Sequence, residues 1–466
     1  MAVEMRRKAG VAAGACVALV LTGVAGATAW SYAGDEGRPV GTWHEPPGVA
    51  RTPVAAEQKA EPAAEPQVAD RTEAATVPPP ADNKNTEPPA AEGRRHLPES
   101  ATTANRQRVG ELLSVNKLLG YLTGAPKRET FRYPGASYVK LHFSRMAMRP
   151  GDYLTVSNPD GTESYRYDAP KTLNTGTIDK WAMSITGDTA ILEMHRAGDP
   201  LGLSSLLGRM GVDVDQVARG FSRTEQRRQP ERQPTAPGRT GREESVCGSD
   251  TSADAVCYRS GDPVAYTKSK AIARLLINGT ELCTGWRVGP NNRMLTNNHC
   301  FTTTSEAYDT EVWFNYQCAT CGGYNVFRPT KVWGDKVLAT EHVYDYTLFS
   351  VANFAAVKKF GYLNLDAARP AKGQQLYVPQ HPAGEPTRIA GTLGERAGNC
   401  SVENPSYTGY AANSDVSYFC DTEGGSSGSP VLSRATNKVV ALHHFGGCPN
   451  SGVRGDLLAS RLRGRL

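Results

Sequence analysis

Three short segments of this 466-residue chain carry side chains suited to nucleophilic chemistry. Met294-Leu295-Thr296-Asn297-Asn298-His299-Cys300 reads as an apolar strand ending in a polar turn that holds a histidine. Tyr344-Asp345-Tyr346-Thr347-Leu348-Phe349 places an aspartate just before a second apolar strand. Gly424-Gly425-Ser426-Ser427-Gly428-Ser429-Pro430 is a glycine/serine run followed by the strand Val431-Leu432. A serine hydroxyl is a poor nucleophile until a base removes its proton. His299 could take that proton near neutral pH and return it to a leaving amine. Asp345 would fix the imidazole tautomer and stabilise the imidazolium. Glycines beside Ser427 let the backbone turn so that the amides of Gly425 and Ser427 converge on a developing oxyanion. Ser427 is the serine of a Gly-x-Ser-Gly pattern, whereas Ser426 is followed by serine and Ser429 runs into Pro430. Each segment alone is commonplace. Their joint occurrence in this order is not.

The order His, Asp, Ser, with separations of 46 and 82 residues, is that of chymotrypsin-type enzymes rather than subtilisins or α/β-hydrolases. The rest of the chain divides around this segment. Residues 1–29 have a signal-peptide layout: Arg6, Arg7 and Lys8, an apolar run over Val11–Val24, and the small-x-small site Ala27-Thr28-Ala29. That run is short for a bilayer span, and cleavage is preferred over an uncleaved anchor. Residues 30–105 are rich in Pro, Ala and Glu, with 12 of the 31 prolines between Tyr32 and Pro98, and read as a disordered segment. Residues 106–221 read as a helix followed by a small antiparallel β-sandwich. Leucines 112, 113, 118, 119 and 122 recur at helical spacing over Glu111–Leu122. Strands are expected at Tyr138–Phe143, Tyr153–Val156, Trp181–Ile185 and Ala190–Met194, with a turn at Asn158-Pro159-Asp160-Gly161. His142 and His195 lie in these strands and read as structural. Residues 222–244 hold six arginines and three prolines, a charged linker or a processing site. Residues 245–466 form the protease-like unit. Within it, Asn278-Gly279-Thr280 reads as a type I′ hairpin in preference to a glycosylation acceptor.

A net charge of +5 and the absence of a dense basic face outside the linker give no reason to expect nucleic acid. Nine of the ten cysteines lie between Cys247 and Cys448, and an oxidising, extracellular destination follows from the leader. No cofactor is expected. Cys318-Ala319-Thr320-Cys321 could be half of a zinc site, but no second pair stands at suitable spacing.

Residues 245–466 resemble the secreted bacterial trypsin-like serine proteases, and within them the lysyl and glutamyl endopeptidases. The resemblance rests on Gly425-Ser426-Ser427-Gly428-Ser429-Pro430, Cys283-Thr284-Gly285, Leu295-Thr296, Phe314-Asn315-Tyr316-Gln317, Thr422-Glu423 and Leu442-His443. It implies an all-β, chymotrypsin-like fold of two six-stranded barrels with the reacting groups in the cleft between them, closed by a C-terminal helix at Asp456–Leu462. It implies that His444-Phe445-Gly446 pairs with substrate backbone, with His443 structural. It implies the disulfides Cys283–Cys300, Cys257–Cys321 and Cys247–Cys448. Cys400–Cys420 is then a reasonable local pair, Cys420–Cys448 an alternative, and Cys318 is left over. Position 426 departs from animal trypsins, which place an aspartate before the nucleophile to receive a new N-terminus. Ser426 carries no charge, so that activation switch is expected to be absent. A latent precursor would need its N-terminal region to block the site, relieved by trimming in the linker.

The expected function is a secreted serine endopeptidase, monomeric, acting on protein or peptide substrates with no stable membrane insertion. The rival is a catalytically inactive binding or adhesion protein that reuses the fold. Asp421, six residues before Ser427, is the candidate acid for selecting a basic residue before the scissile bond; Asp456 is a second candidate, and an acidic preference stays open.

Overall fold

A computed structural model describes residues 106–122, 124–169, 177–196, 210–230, 246–247, 249–391 and 400–466. The expectations for residues 1–29, 30–105 and 231–244 lie outside the described residues.

Six strands close the first barrel in the order Glu281–Arg287, Ile272–Ile277, Thr310–Phe314, Thr330–Glu341, Tyr346–Val351 and Met294–Thr296, the last pairing back onto the first. All of these strands except Thr330–Glu341 are buried on both faces. Leu275 and Ile277 point into the barrel with Val312, Phe314 and Phe349, while Leu276 packs outward with Trp313 and Leu282. Asn278 and Gly279 turn the first hairpin with positive φ of 50° and 75°, the geometry that an Asn-Gly pair supplies. The second sheet has eight strands. A bridge from Gln375 to Ser401 joins the start of Leu376–Gln380 to the start of Val402–Tyr407 and draws this sheet round on itself. A third apolar cluster, including Trp286, Leu295, Leu348, Leu432 and Leu442, contains residues from both sheets together with Leu458 of the final helix, Gly455–Arg461.

Residues 106–221 are where sequence and structure part company. Glu111–Leu122 is not a helix. Gly110–Gly120 is a strand paired antiparallel with Gly211–Gly220 along its length. Half-buried Glu111, Leu113 and Val115 alternate with exposed Leu112, Ser114 and Asn116 over its first half. Leu112, Leu118 and Leu122 remain 45–54% exposed. The leucine spacing fits either period, and long-range pairing decides. Three other expected strands are present at Tyr138–Ala147, Tyr153–Ser157 and Thr189–His195, whereas the expected strand Trp181–Ile185 is broken at residues 182–184 into the end of Thr177–Trp181 and the start of Ile185–Thr186. Together with Gly110–Gly120, Gly211–Gly220, Arg128–Arg132 and Ser164–Asp168 they form a five-stranded and a four-stranded sheet around one shared core that includes Leu141, Phe143, Leu154, Val156 and Leu192. His142 contacts Asp179 and Asp215, and His195 contacts Thr155. The linker is ordered at its start, since Arg223–Arg228 is a helix with a Ser222/Glu225 capping box.

The outer face of Tyr138–Ala147 does not meet water. Tyr138 donates to the Gly279 carbonyl at 2.8 Å, and Lys140 meets Glu311 of the barrel at 2.6 Å. Lys331 meets Glu163 at 2.7 Å, and all four of these charged side chains are at most 3% exposed. Gln107 and Arg108 add a further strand to the barrel sheet by pairing with Leu282 and Glu281.

Candidate active site

His299 follows the strand Met294–Thr296, and Asp345 precedes Tyr346–Val351, the strand beside it. That pairing brings the two turns together although 46 residues separate them. Asp345 sits at φ 38°, a left-handed conformation that Asp tolerates better than most residues. Its Oδ1 accepts the His299 backbone N–H at 2.9 Å, and its Oδ2 lies 2.8 Å from His299 Nδ1. Asn297 donates to the Asp345 carbonyl and fixes the turn from behind. This geometry puts a proton on Nδ1 and leaves Nε2 as the basic nitrogen. Burial by itself would raise the Asp345 pKa, but the imidazoles of His299 and His444 outweigh it and hold the carboxyl well below its usual range.

Ser427 lies in the turn that leads into Pro430–Ser433, a strand of the second sheet. Its carbonyl accepts the Thr284 N–H at 2.8 Å, and Thr284 Oγ1 donates to the Gly425 carbonyl at 2.9 Å. Thr296 Oγ1 donates to the Thr284 carbonyl, which ties the nucleophile loop to the strand leading to His299. Gly425 adopts φ 97°, and a Cβ there would fall 2.5 Å from Leu282 Cδ2 and 3.0 Å from the His381 carbonyl. Only glycine fits. Ser427 Oγ and His299 Nε2 are both buried and have no hydrogen-bond partner among the described residues. The fold therefore joins His299 to Asp345 directly, while no hydrogen bond joins Ser427 to His299.

The remaining predicted residues find other employment. Asp421 Oδ2 accepts the Thr251 N–H at 2.9 Å and its hydroxyl at 2.6 Å, so this carboxylate orders the segment near residue 251. Asp456 pairs with Arg454 at the start of the final helix. His444, Phe445 and Gly446 are buried. The His444 ring contacts Asp345 and Asp415 and lies 3.8 Å from that of Phe445. His443 bonds the Tyr418 hydroxyl at 2.8 Å, and burial depresses its pKa to about 3, so it is a neutral structural group. Sequence reasoning missed Asp415 and the double role of Asp345. Nothing local marks either one.

The disulfides are Cys247–Cys448, Cys257–Cys321, Cys283–Cys300 and Cys400–Cys420. Cys318 is free and buried, with its thiol pushed up to about 11 by desolvation. Donor atoms of Cys283, His299 and Cys300 cluster within 4.8 Å. The two sulfurs are bonded to each other, which removes them as thiolate ligands.

The model of the trypsin-like peptidase domain family matches residues 283–442, an interval that contains His299, Asp345 and Ser427. A curated relative, "Secreted RxLR effector protein 73" of Plasmopara viticola, is 39% identical over 234 residues, or 48% of this chain. The chain spans 57% of that relative's length. Among solved structures, a Glu endopeptidase in complex with MPD is 19% identical, covering 47% of this chain and 98% of its own, with a TM-score of 0.34. The serine endoprotease from Yersinia pestis is 10% identical, covering 44% of this chain and 66% of its own, with a TM-score of 0.33. Over residues 283–442, then, this chain is similar to the trypsin-like peptidase domain family, and the strands there belong to two antiparallel sheets, the first of them a closed six-stranded barrel.

Proposed function

We propose that the chain is a serine endopeptidase that cleaves peptide bonds through an acyl-enzyme on Ser427. His299 Nε2 takes the Ser427 proton as the hydroxyl attacks the carbonyl carbon, then gives it to the leaving amine. Water attacks the ester with the same base, regenerating the hydroxyl and releasing the acid. Asp345 stays ionised and stabilises the imidazolium, and the amides of Gly425 and Ser427 receive the oxyanion. The observation that carries this reading is the Asp345–His299 contact at 2.8 Å, which leaves a buried, unpartnered Nε2 in the same domain as an unpartnered Ser427 hydroxyl.

Secretion is part of the proposal. It is supported by the leader-like residues 1–29, by four disulfides, and by the word "secreted" in the relative's name. A basic preference before the scissile bond is not, because Asp421 is committed to Thr251. The rival reading is a protease-fold binding protein without turnover. A fluorophosphonate probe separates the two: labelling of the folded chain that disappears in Ser427→Ala supports the peptidase. Folded protein that never labels, with or without cleavage in the linker, supports the rival.

A further inference from the structure

The strand Glu281–Arg287 has a second edge, and three different partners share it. Gln107 and Arg108 pair with Leu282 and Glu281, the Ser427 carbonyl takes the N–H of Thr284, and Met294 and Leu295 pair with Arg287 and Trp286. The pairing at Leu282 is antiparallel. Moving toward the N-terminus from Gln107 therefore means moving from Leu282 toward Thr284, two residues or about 7 Å along a strand. The chain thus leads away from Ser427 as it passes from Arg106 through Gln107 to Arg108, and Val109 N–H closes the run on the Thr280 carbonyl at 2.8 Å. A peptide substrate has this polarity on the side that departs as the amine, where its residues run N to C away from the nucleophile.

Arg106 supplies a side-chain signature at the start of this run. It is 1% exposed and is held by Glu281 at 2.8 Å and by Glu306. Glu306 belongs to the short helix Thr304–Tyr308 that follows Cys300, and Glu281 is two residues before Cys283. The Cys283–Cys300 disulfide therefore links the two supports of this acidic pair to each other and to the residue after His299. With Arg106 in place both carboxylates are 12–13% exposed, so vacating it would leave two like charges without the guanidinium they share.

Building on the peptidase reading above, we propose that the Glu281–Leu282 edge with Glu281 and Glu306 is a leaving-group-side subsite for a basic side chain, filled in cis by Arg106–Arg108. The strand pairing supplies affinity without regard to sequence, and the two carboxylates supply the preference for Arg or Lys. Peptides whose departing segment begins with a basic residue are the substrate class this selects. The chain's own arginine competes for the site, so hydrolysis is restrained for as long as residues 106–108 stay paired.

The test uses the full chain in a Ser427→Ala background, so that nothing is hydrolysed, and a C-terminally fluorescein-labelled pentapeptide of residues 106–110. Fluorescence anisotropy is expected to show at least ~10-fold tighter binding to Arg106→Ala than to the parent, with at least ~10-fold discrimination against the same peptide beginning with alanine. Adding Glu306→Gln is expected to erase that discrimination. Arg106→Glu serves as a second opened variant, with circular dichroism to establish folding. On the unaltered chain, millimolar peptide is expected to speed amide hydrogen exchange at residues 107–109. Equal binding to parent and opened chains, equal binding of the two peptides, or unchanged exchange overturns the inference. Ser427-dependent probe labelling in a chain that fails these measurements leaves the peptidase reading standing. Peptide binding by a chain that never labels removes the peptidase reading alone.

Discussion

His444 Nδ1 lies 3.1 Å from Asp345 Oδ2, the same oxygen that His299 Nδ1 contacts at 2.8 Å. One carboxylate oxygen therefore holds two imidazoles. On its far side His444 Nε2 lies 2.6 Å from Asp415 Oδ2, which also accepts from Ser451 Oγ. Burial opposes a charge on His444, but Asp415 and Asp345 prevail and raise its pKa to about 9. At neutral pH it is an imidazolium that donates from both nitrogens.

The first prediction concerns pH. The folded His444 pKa is above the ordinary histidine value of 6.5, so its contribution to stability is fully present below pH 6.5 and is lost as pH rises through about 9. The thermal midpoint is expected to fall between pH 7 and 10, and to fall less in His444→Gln. If the two chains lose stability in parallel over that range, the imidazolium bridge is not what holds these carboxylates.

Asp345→Asn keeps the size of the side chain but no longer favours a proton on His299 Nδ1. Turnover of a peptide substrate is expected to drop about 10⁴-fold, with the fold intact by circular dichroism. A loss of less than about tenfold would mean that His299 does not act as the base.

At Gly425, alanine meets Leu282 and the His381 carbonyl and must hold a positive φ. Displacing one oxyanion donor typically costs about 100- to 1,000-fold in rate. Gly425→Ala is therefore expected to lower kcat by at least that factor while labelling slows in step. Unchanged kcat would place the oxyanion elsewhere.

Glu311 is fully buried between the sandwich and the barrel, where it meets Lys140 at 2.6 Å, Ser184 and the Trp313 indole N–H. Removing one partner of a buried pair commonly costs about 3–5 kcal/mol. Glu311→Ala is expected to destabilise the chain by that order in urea unfolding. By the same reasoning, a chain nicked at an engineered site in residues 231–244 is expected to co-elute as two associated pieces on gel filtration. Clean separation of the pieces would show that the interface is weak.

The proposed reacting groups are legible in the sequence because each is encoded by a short strand-to-turn pattern whose residues are neighbours: Leu295 to His299, Asp345 to Phe349, Gly425 to Ser427. The Asn278-Gly279 turn was legible for the same reason. Glu111–Leu122 was not, since leucines at those positions satisfy a helix and a strand alike and the deciding partner, Gly211–Gly220, lies far along the chain. Asp421 looked like a pocket acid until Thr251, 170 residues away, took its oxygen. By resemblance His444 reads as part of a strand that pairs with substrate, and only the folding of Asp345 and Asp415 onto either side of it gives it a charge. Local sequence determines which groups the chain can offer for chemistry. Burial and long-range pairing, which set the partners and hence the charges, are decided by the tertiary structure, because desolvation and Coulomb energies depend on distance in space and not on separation along the chain.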